Sequence, residues 1–233
     1  MTYILSDIHG CYKEYLELLK IIDFSGDDTM YILGDVVDRG EEPVKCLLDI
    51  IAAPNIHMIL GNHEDMLLDA LATGDFEHWF RNGGAVTLEQ LLGCTGEQRG
   101  EILTYLTSLP YNYTITVGDR KFVLVHAGLY IPERNNKKAS PSTAEVLSRQ
   151  SEEDMLWIRD EFFKFRALST STVIFGHTPT AYFEKTKVKK WGIWYDKKFN
   201  DKICIDGGCV FGGRLNCLRL DDMEEFFVES FSK

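Results

Sequence analysis

Four of the six histidines stand directly after a short apolar run and beside glycine or a carboxylate. They are His9 in Ser6-Asp7-Ile8-His9-Gly10, His63 in Gly61-Asn62-His63-Glu64, His126 in Val125-His126-Ala127-Gly128 and His177 in Phe175-Gly176-His177-Thr178. Asp7, Asp35, Asp38 and Asn62 accompany them, the two middle acids within Gly34-Asp35-Val36-Val37-Asp38-Arg39-Gly40. One histidine in such a place is usually a satisfied structural residue, whereas four, with carboxylates, at the ends of strand-like runs read as a metal site. Mixed oxygen and imidazole donors suit divalent ions such as Mn, Fe or Zn, and no thiolate belongs to the cluster to favour a structural zinc. The site therefore reads as catalytic. A centre of two ions needs one carboxylate able to bridge them, and Asp35, between two ligand groups in chain order, fits that part. His57 and His78 belong to no motif and read as structural or exposed.

The elements that must position these residues follow from periodicity. Tyr3 to Ser6, Met30 to Gly34 and His57 to Gly61 read as strands, each ending at a polar cluster. Tyr12, Tyr15, Leu16, Leu19 and Ile22 recur at helical spacing, as do Val44, Leu47, Leu48 and Ile51 after Pro43, a residue suited to a first helical turn. Such β-α-β crossovers imply a parallel sheet, in which ligands bind beyond the C-terminal ends of the strands. From Glu64 to Leu109 the pattern is mostly helical and predicts a cap beside the sheet. Strands return at Tyr111 to Val117 and Lys121 to His126. The polar stretch from Pro132 to Asp154 offers no periodicity beyond a turn of helix and is the candidate mobile loop. Thr172 to Gly176, Val188 to Tyr195, Lys202 to Asp206, Arg214 to Leu220 and Glu225 to Glu229 read as late strands forming a second sheet packed on the first. The class is α/β, with two sheets face to face and helices outside, and one elaborated domain over residues 1–233 is expected.

Composition narrows the function classes. The net charge of -11, from 36 acidic against 25 basic residues, disfavours the polyanionic backbone of nucleic acid and an anionic membrane surface as partners. No apolar run is long enough to span a bilayer. Cys11, Cys46, Cys94, Cys204, Cys209 and Cys217 form no C-x-x-C pair and read as buried free thiols. The N-terminus has no basic segment or apolar h-region, so a cytoplasmic location is expected, and Asn112-Tyr113-Thr114 is a chance glycosylation match in a probable strand. The basic run Lys185 to Lys190 reads as a solvated edge strand guarded by lysine.

The motifs D-x-H-G, G-D-x-V-D-R-G and G-N-H-E, followed by the segments of His126 and His177, resemble the calcineurin-like metallophosphoesterases. More narrowly they resemble the phosphoprotein phosphatase (serine/threonine) family, in its bacterial and phage lambda phosphatase-like branch. With Trp157-Ile158-Arg159 and Ile205-Asp206-Gly207-Gly208-Cys209 the resemblance runs over most of the chain. It implies a metallophosphoesterase β-sandwich of two mixed sheets flanked by helices. It also implies two divalent metal ions, Mn first and Fe or Zn as alternatives, with Asp7, His9 and Asp35 on one and Asp35, Asn62, His126 and His177 on the other. Arg39 and Arg159 would clamp the phosphoryl oxygens through their planar forks. His63 would protonate the leaving oxygen while Asp38 orients its ring. Two departures stand out: Ser6 replaces the usual glycine of the first motif, and the longer C-terminal signature of the eukaryotic phosphatases is absent.

The activity so implied is hydrolysis of phosphoserine or phosphothreonine monoesters in a protein or peptide, phosphotyrosine being a further option, by direct attack of a metal-bridging hydroxide between ions ~3.5–4 Å apart. Two rivals stand beside it. The same centre could cleave a dinucleoside polyphosphate such as diadenosine tetraphosphate, since the motifs specify phosphoryl chemistry and not what hangs from it. A catalytically dead phosphate-binding module is the rival of another class, against which an intact ligand set with His63, Asp38 and Arg39 argues.

Overall fold

The computed structural model describes residues 1–131, 142–183 and 191–231. The chain opens with β1 (Thr2–Leu5), α1 (Tyr12–Ile21), β2 (Thr29–Ile32), α2 (Pro43–Ala52), β3 (Ile56–Met58) and α3 (Asn62–Thr73). Three further helices follow, α4 (Glu77–Arg81), α5 (Ala85–Gly93) and α6 (Gly96–Ser108), before the hairpin of β4 (Asn112–Val117) and β5 (Arg120–Val125). The short helices α7 (Thr143–Leu147), α8 (Glu152–Trp157) and α9 (Asp160–Lys164) precede β6 (Thr172–Phe175), β7 (Trp194–Tyr195), β8 (Lys202–Cys204), β9 (Arg214–Arg219) and β10 (Glu224–Glu229).

Two five-stranded sheets result, ordered β10-β9-β1-β2-β3 and β4-β5-β6-β8-β7. Each has three consecutive parallel strands: β1, β2 and β3 on one side of the first sheet, β5, β6 and β8 at the centre of the second. Antiparallel strands complete both sheets, so both are mixed. Alternate residues of the strands face opposite ways. Ile4, Phe122, Leu124, Ile174, Ile203 and Leu218 share one apolar layer between the sheets. Tyr3, Leu5, Met30 and Ile32 pack with α1, α2 and α3 outside the first sheet, and Val123, Val125, Val173 and Phe175 pack with Val146, Met155 and Phe162 outside the second. The two-sheet sandwich flanked by helices is the expected class.

Local signals explain the helices near the site. Pro43 occupies the first turn of α2, where its missing N–H would be unpaired anyway. Thr95 and Gln98 close a reciprocal cap at the start of α6, with N–H to side-chain oxygen distances of 3.0 and 3.2 Å.

Three expectations need correction. β9 and β10 join the first sheet and not the second: β9 adds antiparallel to β1, pairing Ile4 with Leu218. A period-2 pattern states which face is apolar but not which sheet edge it will meet. Of the stretch from Pro132 to Asp154, residues 142–154 are also more structured than their polarity suggested. Residues 132–141 lie outside the described residues, but Ser142 with Glu145 and Ser151 with Asp154 form capping boxes that start α7 and α8. Of the strand expected over Val188 to Tyr195, only Trp194–Tyr195 is seen, and the run Lys185 to Lys190 lies outside the described residues. The six cysteines are free thiols, five of them buried. No helix among the described residues is long and apolar enough to cross a membrane.

Phe122, 2% exposed, fills the layer between the sheets, whereas Leu92 is 70% exposed. Phe122→Ala is expected to cost about 3–5 kcal/mol of unfolding free energy, and Leu92→Ala less than about 0.5 kcal/mol. Urea denaturation of the two variants checks the contrast.

Candidate metal centre

The six parallel strands point their C-terminal ends at one cavity of about 280 Å³. Asp7 and His9 follow β1, Asp35 follows β2, Asn62 and His63 follow β3, His126 follows β5, His177 follows β6 and Asp206 follows β8. Placing these groups requires abrupt turns. Asp7, His9, Asp35, Asp38, Arg39 and His177 all have left-handed backbone, with φ between 45° and 71°. Side chains disfavour that region, and strain of this kind gathers at functional sites.

Hydrogen bonds hold the turns. The His9 N–H donates to the Asp35 carbonyl at 2.9 Å, and the Gly10 N–H to the Val36 carbonyl at 2.9 Å. Glu64, fully buried, receives four backbone N–H groups: Asp35 at 2.8 Å and Gly61 at 3.0 Å on one oxygen, Val36 at 2.8 Å and Val37 at 3.1 Å on the other. The start of α3 is thereby locked to the turn after β2. Gly34, at φ 84°, and Gly61 meet there so closely that a Cβ on Gly34 would lie 2.5 Å from the Gly61 Cα, which only glycine allows.

Asp35 sits between two donor groups. Its Oδ2 is 3.5 Å from His9 Nε2 and 3.9 Å from His63 Nε2, and its Oδ1 is 3.5 Å from His126 Nε2. Donor atoms of His9, Asp35 and His63 lie within 4.8 Å of one another, and so do those of Asp35, His126 and His177. Asn62 belongs with the second group, its Oδ1 2.8 Å from His126 Nε2 and 2.9 Å from His177 Nδ1. Asp7 lines the same cavity, but its carboxylate is turned onto the His177 N–H, at 3.0 and 3.1 Å. It is thus the one expected ligand outside both clusters, and His63 stands close to the first.

These residues fit a pair of cations. His9 Nδ1 is 2.8 Å from the Val37 carbonyl and His126 Nδ1 is 2.7 Å from the Leu33 carbonyl. Donation to those oxygens leaves each Nε2 lone pair facing the cluster, the orientation that a metal ligand needs. His177 Nε2 is buried without a hydrogen-bond partner. Burial holds the imidazoles of His9, His126 and His177 below their ordinary range, so they stay neutral and able to ligate. Burial, with Asp7 and Glu64 close by, pushes Asp35 well above the carboxylate range, and burial beside Asp7 does the same to Asp206. Crowded buried carboxylates are relieved by cations, which invert the local charge balance.

A second network surrounds His63. Its Nδ1 is 2.6 Å from Asp38 Oδ2, Trp79 Nε1 donates to the same oxygen at 2.8 Å, and Thr87 Oγ1 donates to Asp38 Oδ1 at 2.6 Å. Burial pushes Asp38 up to about 7 and His63 down to about 2. Arg39 donates to His9 Nε2 at 2.5 Å and lies over the ring of Phe211, 5.2 Å from its centre. Arg159 reaches the cavity from the loop between α8 and α9 and donates to Thr178 Oγ1 at 3.2 Å. Every expected site residue therefore borders the cavity or, like Asp38 and His126, supports a residue that does. His57 packs on Tyr31 and Tyr113, and His78 lies near Trp157; neither joins the site. The sequence reading did not assign Asp206, Glu64, Trp79, Thr87 or Phe211. Asp206 also follows a strand-like run, but only the structure shows that this run belongs to the parallel set.

A family model described as calcineurin-like phosphoesterase matches residues 2–213. The chain is 27% identical over 226 residues to Serine/threonine-protein phosphatase 2 of Salmonella typhimurium, covering 94% of this chain and 92% of that protein. It is 26% identical over 245 residues to the asymmetrical bis(5'-nucleosyl)-tetraphosphatase PrpE of Anoxybacillus flavithermus, covering 97% and 93%. In fold it resembles a crystal structure provisionally described as a diadenosine tetraphosphatase, with TM-score 0.71 at 22% identity, over 100% of this chain and 94% of that one.

Glu64→Gln puts an amide N–H₂ where backbone N–H groups need an acceptor. It is expected to cost about 1–3 kcal/mol of stability and to weaken cation binding roughly 10- to 100-fold, as loss of supporting contacts around ligands does. Urea denaturation and metal titration read the two effects; no change in either would mean that the carboxylate does not anchor the turn.

Proposed function

We propose, since the chain belongs to the calcineurin-like phosphoesterase family, that its cavity hydrolyses phosphoric monoesters, with phosphoserine and phosphothreonine in proteins as the substrates that fit it best. The observation that carries this is the cation count of the walls. Among the described residues, Arg39 and Arg159 are the two lysine or arginine side chains lining the cavity. Two guanidinium forks match the oxygens of one phosphoryl group. A tetraphosphate chain carries several more charges, for which the described walls offer no further lysine or arginine.

His9 and Asp35 would hold one divalent cation, with Asp7 from the same turn, and Asp35, Asn62, His126 and His177 the other. Such ions, of which manganese suits the oxygen and imidazole donors, acidify a water and neutralise charge on the entering and leaving oxygens. The remaining work falls to the chain. His9 Nε2 has one lone pair, so a cation held there would displace Arg39 from it and leave the guanidinium free to meet the phosphoryl group. Arg159 approaches from the loop between α8 and α9. His63 turns its Nε2 to the cavity because Nδ1 is engaged by Asp38, which Trp79 and Thr87 hold in place. Burial and the charge of Arg39 keep the free His63 unprotonated. A phosphoryl dianion beside Arg39 offsets both effects, and His63 can then deliver a proton to the leaving oxygen.

A second reading, cleavage of a dinucleoside polyphosphate, is favoured by one feature. Phe211 stands at the cavity rim, 57% exposed, with a ring face on which a nucleobase could stack.

Phosphoserine and phosphothreonine peptides, a phosphotyrosine peptide and diadenosine tetraphosphate, assayed side by side with Mn, are expected to rank the first two highest in kcat/KM. Preference for the dinucleotide would overturn the substrate assignment and leave the centre untouched. His63→Asn is expected to keep its metal content and lose ~10²- to 10⁴-fold on phosphoserine peptides, with a much smaller loss on para-nitrophenyl phosphate, whose leaving group departs without a proton. Equal losses with a missing ion would make His63 a ligand.

A further inference from the structure

On the far side of the first turn, two buried thiols and a buried acid meet. Cys11 immediately precedes α1, Glu14 lies in its first turn, and Cys209 opens the 3₁₀ turn Cys209–Phe211. One donor atom from each lies within 4.8 Å of the other two, and the residues are 6%, 5% and 1% exposed. Glu14 Oε1 accepts the Phe231 N–H at 2.8 Å. Among the described residues no lysine or arginine ion-pairs with Glu14; its neighbour Lys13 pairs with Glu41 instead. A buried carboxylate without a cation is costly, and two sulfurs with one carboxylate oxygen make a donor set for a borderline-soft divalent ion.

We propose that Cys11, Glu14 and Cys209, the last of which also lines the main cavity, bind a thiophilic divalent cation of the zinc class through donors that the histidine centre does not share. Cys11 and Glu14 line a second cavity of about 100 Å³, which would give the ion an entry path and leave room for a water as fourth ligand. Each thiol releases its proton as it ligates. The thiols are poorly suited to forming a disulfide, which starts from a thiolate, because the hydrogen bond with the Cys11 thiol, and after it burial, hold Cys209 far above the ordinary range. A cation supplies the positive charge that they lack. The ion would tie the turn carrying His9 to the segment carrying Val210 and Phe211, which line the main cavity.

Cobalt(II) added to the manganese-loaded protein tests this, because thiolate ligation produces a near-ultraviolet charge-transfer absorption that the imidazole, amide and carboxylate donors of the histidine centre cannot give. The expected result is a band saturating at one cobalt per chain and bleached by zinc. Cys209→Ser should abolish it, and Glu14→Gln, nearly isosteric, should weaken cobalt binding by at least roughly tenfold, a loss of the size that disturbing even the surroundings of a ligand causes. Absence of the band in the unaltered chain would overturn the proposal, as would its persistence in Cys209→Ser. A Cys11–Cys209 disulfide in peptides mapped without reductant, in a protein that binds no cobalt after reduction, would replace it with a redox pair.

Discussion

One buried carboxylate holds the site together. Glu64 takes N–H groups from Gly61 and from three successive residues after β2, and so fixes how the α3 start meets the turn that carries Asp35. That turn has left-handed backbone at Asp35, Asp38 and Arg39, a conformation that side chains resist by about 1–3 kcal/mol each and that persists only where surroundings over-determine it. The His63 N–H, at the same helix start, donates to Asp35 Oδ1 at 3.0 Å, where the helix dipole also favours negative charge. Asp35 thereby stands between two donor groups without relying on its own rotamer preference.

The same geometry creates an electrostatic problem. Asp7, Asp35 and Asp206 after their strands and Glu64 in the first turn of α3 are all buried, and repulsion from Asp7 and Glu64 on Asp35, and from Asp7 on Asp206, adds to the desolvation that raises both. The imidazoles around them are held neutral by burial and so cannot supply compensating charge. Cations from outside the chain can, which links the fold's stability to its chemistry through the same residues.

How legible this was in the sequence depended on whether a signal was local. Asp35, Asn62 and the four strand-end histidines could be read because ligand-type residues directly after apolar runs are rare, and parallel strands carry their ends to one edge. Asp206 escaped assignment because an acid before Gly207-Gly208 looks like a turn residue until β8 is known to be parallel to β6. Trp79 and Thr87 gave no signal at all: each lies in a helical pattern where core packing explains it, and only the approach of α4 and α5 to Asp38 gives them a polar role. The placement of β9 and β10 was likewise a matter of tertiary pairing, since either sheet could have buried their apolar faces.

The central claim is that Asp35 serves two cations at once. Manganese titration followed by metal analysis tests it most directly when Asp35→Asn is compared with His9→Ala and Asn62→Ala, each of which touches a single donor group. The expected result is two manganese ions per chain in the unaltered protein, one in each of the single-group variants, and weakened binding of both in Asp35→Asn. Retention of one ion at undiminished affinity in Asp35→Asn would contradict it, because that ion would then have no need of the shared carboxylate.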